Sequence, residues 1–110
     1  MYKLVDNYKK KSIHGGRMTK ADLIQAISQE TGIILKDTKI IVDALLDNIK
    51  ISMINGEHIE LRGFGTFKNK VRKSRIARNP NTKELVHLPK RVVPTFKFSK
   101  FFIDEVMDNN

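Results

Sequence analysis

The sequence predicts an α+β fold: two helices first, then antiparallel strands that run out into a long basic ribbon, then a short closing helix. Three observations predict it. Apolar residues recur at helical spacing up to residue 54 and with period two from residue 57. Residues 68–91 hold nine Lys or Arg against a single acid, Glu84, while 18–67 and 92–110 come out slightly acidic. The second helix is apolar over more of its circumference than one short chain can cover, which predicts an intertwined homodimer.

At 110 residues the chain has room for one domain with a modest core, so a partner subunit is plausible on size alone. A net charge of +9 predicts attraction to polyanions, either nucleic acid or an anionic membrane surface. No apolar run reaches the roughly 18 residues of a spanning helix, and the amino terminus lacks the apolar centre of a signal peptide, so a cytoplasmic protein is expected. With no cysteine there are no disulfides and no thiolate metal sites.

Residues 1–17 have no sustained period, contain Lys9-Lys10-Lys11 and end near Gly15-Gly16. They read as a flexible basic extension, either a plain leader or a phosphate-binding arm. Residues 18–110 form the domain. Thr19-Lys20-Ala21-Asp22 fits a capping box with Asp in place of Glu, so the first helix is expected over about 20–31, stopped by Gly32. The second is expected from Leu35 to Ile54, poorly capped at its start and stopped at Asn55-Gly56. At 100° per residue, Ile40, Ile41, Val42, Ala44, Leu45, Leu46, Ile49, Ile51 and Met53 spread over roughly 240°, well beyond an ordinary amphipathic stripe. Asp43, Asp47, Lys39 and Lys50 share the remainder. Such a helix needs covering on two sides.

Glu57–Arg62 alternates as a half-buried strand does. Gly63-Phe64-Gly65 interrupts it, and two glycines around one aromatic predict a sharp bend or bulge that turns Phe64 inward. Thr66-Phe67 leads into Lys68-Asn69-Lys70-Val71-Arg72, where the charges fall on alternate residues and so on one strand face. Lys73, Arg75 and Arg78 continue the charge to a turn at Asn79-Pro80-Asn81-Thr82, after which come Lys83, the returning strand segments, Lys90 and Arg91. Pro89 and Pro94 confine that return to edge or bulged positions. A ribbon of this kind, about residues 68–91, has no core of its own and is marginal in water alone. Ser99 then caps a short helix from Lys100 to about Met107.

Catalytic and metal chemistry find no support in the sequence. His14, His58 and His87 have no ligand spacing, and the acids lie mostly among lysines on helix faces. No metal, cofactor, small-molecule substrate or enzymatic activity is expected. The composition alone also fits a basic RNA-binding protein of ribosomal type, or an adaptor dimer with basic arms.

Taken in order, Met18-Thr19-Lys20-Ala21-Asp22-Leu23-Ile24, Asn55-Gly56-Glu57, Gly63-Phe64-Gly65-Thr66-Phe67, Arg78-Asn79-Pro80-Asn81-Thr82 and Val93-Pro94-Thr95-Phe96-Lys97 resemble the bacterial HU and integration host factor family of DNA-bending proteins. The resemblance covers about residues 18–107. It implies an intertwined homodimer, with a heterodimer of paralogues possible. Its helices form a base, and a three-stranded antiparallel sheet extends into ribbon arms that embrace duplex DNA through the minor groove. It implies that Pro80 wedges between base pairs and that Lys70, Arg72, Arg75 and Arg78 follow the backbone and groove. Lys20 and Lys100 would hold phosphates on the dimer body. Phe64, Phe67 and Phe96, with Leu45 and Ile49, would belong to the dimer core.

The function implied is architectural: nucleoid-associated, histone-like binding and bending with little sequence preference. A more site-preferring branch is the alternative, in which Asn79 or an arm arginine selects sites. Four departures stand out. Lys97-Phe98-Ser99-Lys100 replaces the family's common Lys-Pro-Gly-Lys, Lys83 stands where glycine is usual, and Ile76 and Ile103 stand where basic residues are frequent.

Overall fold

The computed structural model describes residues 16–110. The expected basic extension, His14 included, lies outside the described residues except for Gly16 and Arg17. The order is α1 (Lys20–Thr31), α2 (Leu35–Ile54), β1 (Ile59–Leu61), β2 (Gly65–Arg72), β3 (Arg75–Arg78), β4 (Leu85–Leu88), β5 (Arg91–Phe98) and α3 (Lys100–Asp108). The α+β expectation holds, with three helices and antiparallel sheets. Two compact units divide within α2, one up to Asp47 and one from Asn48.

In the first unit, Thr19 and Asp22 form the expected capping box: the Thr19 hydroxyl accepts from the Asp22 amide at 3.2 Å and the Asp22 carboxylate accepts from the Thr19 amide at 2.9 Å. Gly32 ends α1 at φ +76°, donating its amide to Ser28. Two side-chain hydroxyls donate to backbone carbonyls at the turn into α2. Ser28 donates to the Ile33 carbonyl at 2.6 Å, and Thr38, only 2% exposed, donates to the Ile34 carbonyl at 3.0 Å. These bonds pair the two hydroxyls, that of the buried Thr38 included, with backbone acceptors.

In the second unit, α2 ends as Gly56 at φ +82° lets the Glu57 amide reach the Ser52 carbonyl and its own amide reach Met53. The Asn69 side-chain amide also donates to the Met53 carbonyl, at 2.8 Å. The Gly63-Phe64-Gly65 segment turns the chain more sharply than a bulge would. Leu61 pairs with Gly65, so residues 62–64 are the loop of a β1–β2 hairpin, closed by the Phe64 amide donating to Leu61 at 2.9 Å. The three-stranded sheet has the order β1-β2-β5, which leaves β5 on an edge where Pro94 is tolerated.

Five phenylalanines gather at this sheet. Phe67 and Phe96 are cross-strand partners with ring centroids 4.5 Å apart, and Phe64 lies 5.4 Å from Phe96. Phe98, where the family commonly has proline, packs edge-on to Phe96 at 4.8 Å and lies 5.3 Å from Phe102, so it links α3 to the sheet. Ser99 donates its amide to the Phe64 carbonyl at 2.9 Å and caps α3 by accepting from the Phe102 amide at 3.2 Å. Phe98 and Ser99 thus build the approach to the last helix through ring packing and a cap of their own.

Candidate nucleic-acid interface

Pairing between β2 and β5 decides which cations share a face. Lys68 lies opposite Thr95, Lys70 opposite Val93, Arg72 opposite Arg91 and Thr66 opposite Lys97. Directly opposed residues point to the same side, so Lys68, Lys70, Arg72, Arg91 and Lys97 form one cationic face, with the Phe67/Phe96 pair on the other. Lys97 escapes a reading based on charge alone, because it lies outside the basic stretch. Only the strand register brings it in.

The ribbon has two segments. The β2–β5 ladder stops at Arg72–Arg91, and the β3–β4 ladder starts at Arg75–Leu88. Two residues intervene on each side, 73–74 and 89–90, so register carries through without an offset. Pro89 lacks an amide to donate there, which removes one of the bonds that a continuous ladder would use. Arg72, Lys73, Ser74, Arg75 and Arg91 line a hollow of about 500 Å³ at this break. Arg72 and Arg91 are a like-charged cross-strand pair, an arrangement that disfavours the ladder unless an anion neutralises it.

At the tip, Asn79 builds the turn. Its Oδ1 accepts from the Asn81 amide at 2.9 Å, its amide donates to Glu84 and its carbonyl accepts from Lys83, both at 2.8 Å. The Arg78 guanidinium donates to the Lys83 carbonyl at 2.8 Å. This holds Pro80 exposed at the apex. Asn79, expected as a DNA contact, thus has its side-chain oxygen committed to the fold. Lys83 has φ +66°, the only positive value among the described non-glycine residues, which explains why glycine suits this position. Lys83→Gly is expected to stabilise the tip by about 1 kcal/mol, slowing hydrogen exchange of the Asn79 and Lys83 amides severalfold.

Lys20 is not free. Its Nζ lies 2.8 Å from Asp43 Oδ1, and Lys39 Nζ lies 2.8 Å from Asp43 Oδ2. Hydrogen bonds from Lys20 and then Lys39 lower the Asp43 pKa from 3.8 to about 2. The folded chain holds this proton more weakly than the unfolded chain, so the pairing stabilises fully above pH 3.8 and its contribution disappears as pH falls through about 2. Asp43→Asn is expected to flatten the acid limb of a stability-versus-pH curve in that window. Lys100 occupies the first turn of α3, exposed. Among the described residues no group of three His, Cys, Asp or Glu is placed to hold a metal, and no helix is long and apolar enough to cross a membrane.

Residues 18–107 match the family described as "Bacterial DNA-binding protein". The chain belongs to this family. Its HU and integration host factor branches both appear among the relatives. DNA-binding protein HU of Thermus thermophilus is 43% identical over 89 residues, 81% of this chain and 92% of that protein. Integration host factor subunit beta of Hahella chejuensis is 41% identical over 90 residues, 81% of this chain and 92% of that protein. Among solved structures, an HU–DNA cocrystal from Anabaena superposes with a TM-score of 0.75 at 32% identity, covering 81% of this chain and 97% of that one. HU from Thermotoga maritima gives a TM-score of 0.58 at 28% identity, covering 81% and 98%.

Proposed function

We propose that the chain is a histone-like architectural protein that binds duplex DNA through the minor groove with low sequence preference and bends it. The observation that carries this reading is the ribbon: a cationic face leading to an exposed proline on a turn pinned by Asn79. Proline is a compact apolar wedge with no amide to satisfy, and unstacking one base step costs on the order of a few kcal/mol, which phosphate contacts on the bent flanks can offset. Lys68, Lys70, Arg72, Lys73, Arg75, Arg78, Lys83, Lys90, Arg91 and Lys97 supply the arm's charge. Lys20 and Lys100 add body contacts, with Lys20 first giving up Asp43. Phosphate contacts carry no sequence information, and the minor groove is a degenerate reader, hence the low specificity.

The working unit is a homodimer of residues 18–110, with residues 1–17 as an extension. Leu45 is 55% exposed and Phe64 44% exposed in the single chain, and an apolar hollow of about 500 Å³ includes Ile49, Met53, Phe67 and Phe96. A second copy is the natural cover for these surfaces. The protein is non-enzymatic and works in the cytoplasm on the nucleoid.

The reading is tested by energy transfer between dyes on the two ends of a duplex of about 35 base pairs, with anisotropy reporting binding. The ends are expected to approach on binding. Pro80→Ala should weaken that approach while binding persists. Binding without approach would leave a DNA-coating protein, and no duplex binding would overturn the proposal.

A further inference from the structure

The outer ribbon carries apolar surface that charge does not explain. In the β3–β4 ladder Ile76 lies opposite His87 and Arg78 opposite Leu85, so these four side chains share one face. Ile76 is 68% exposed and Leu85 67% exposed. They are diagonal neighbours, close enough to make one apolar strip, while Arg78 and His87 occupy the other diagonal. On the opposite face Ala77 and Leu88 are half-buried and Val86 is 40% exposed, so the ribbon keeps its more exposed apolar pair on the side that carries Arg78. The strip lies between the hollow at the break and the Pro80 turn, inside the stretch that holds nine cations.

A polyanion drawn to those cations meets the strip, yet the strip cannot hold a phosphate. Along a nucleic-acid strand the groups that alternate with phosphates are sugars. At C2′ a deoxyribose presents a methylene, which an isoleucine or leucine can cover without loss. A ribose presents a hydroxyl there, and pressing it against an aliphatic side chain strips its water and returns no hydrogen bond. We propose that Ile76 and Leu85 form a deoxyribose-reading contact on each arm, so that the arm prefers DNA to duplexes containing ribose. The proposal rests on the reading that the arms bind duplex DNA, and it names what part of the duplex this face touches.

The test uses the full chain, a DNA duplex, and the same duplex with isolated ribonucleotides along both strands, titrated across salt. The unaltered protein is expected to favour the all-DNA duplex by about tenfold, the size of one unmet hydroxyl per contact. Ile76→Thr with Leu85→Thr keeps β-branching at position 76 and should bring that ratio close to one. DNA affinity should fall about tenfold with an unchanged salt slope, since no ionic contact is removed. Ile76→Arg should also lose the preference while steepening the slope by about 0.9.

A ratio unchanged in the threonine variant would overturn the proposal. So would a salt slope that falls with it, which would mean that the substitutions act through arm structure. Loss of self-association without change in the ratio would assign the strip to a second copy instead. If the unaltered protein bound neither duplex, the functional reading itself would fail, an outcome distinct from binding both equally well.

Discussion

Replacing Arg72, Lys73, Arg75 and Arg91 together by glutamine is expected to lower duplex affinity at 0.1 M salt by about three orders of magnitude. The magnitude follows from counterion release: each phosphate neutralised contributes about 0.9 to the slope of log affinity against log salt, hence nearly a decade at 0.1 M relative to 1 M. These four are chosen because they surround one hollow at the break between the two ribbon segments. On the proposed function, a DNA backbone entering that hollow would meet all four at once. The slope itself should fall by three to four. Folding should be unaffected or slightly improved, because all four are exposed and the Arg72–Arg91 pair sets like charges side by side. Fluorescence anisotropy across salt, with a thermal melt of each protein, reads both quantities. A large affinity loss at constant slope would mean that the four residues neutralise no phosphates and act without ion release.

The elements legible in the sequence were those fixed by local chemistry. Thr19 with Asp22, Gly32, Asn55-Gly56 and Ser99 set the helix ends because a cap needs only its own turn of chain. The charges of the arm were legible for the same reason, being contiguous. What could not be read depends on pairing between distant segments. The break at 73–74 is invisible until Pro89 and Lys90 are known to lie across from it. Lys97 joins the cationic face only through its register with Thr66. Lys20 looks like a free phosphate ligand until Asp43, in another helix, is found at 2.8 Å. Phe98 reads as a lost proline until its ring is seen between Phe96 and Phe102.

The glycines of the β1–β2 hairpin make a second strong prediction, because two neighbours are required for different reasons. Gly63 has φ +82° with open space where a Cβ would stand. Gly63→Ala therefore meets only backbone strain, and should cost about 1 kcal/mol. Gly65 is buried at the start of β2, and a Cβ there would overlap the Phe96 ring and lie 2.6 Å from the Lys97 carbonyl oxygen. The ring could swing away only by leaving Phe67 and Phe98, its neighbours at 4.5 and 4.8 Å, and the carbonyl belongs to the β5 backbone, which cannot move without disturbing the β2–β5 ladder. Gly65→Ala should thus cost about 3 kcal/mol, the upper end for overpacking, and lower the melting temperature by ten degrees or more. Both variants are to be melted at equal protein concentration, since the stability of the proposed dimer would vary with it. Equal losses at the two positions would mean that the aromatic cluster yields more easily than its packing indicates. A much larger loss at Gly65 would place the close approach of β2 to Phe96 among the contacts on which the second unit depends.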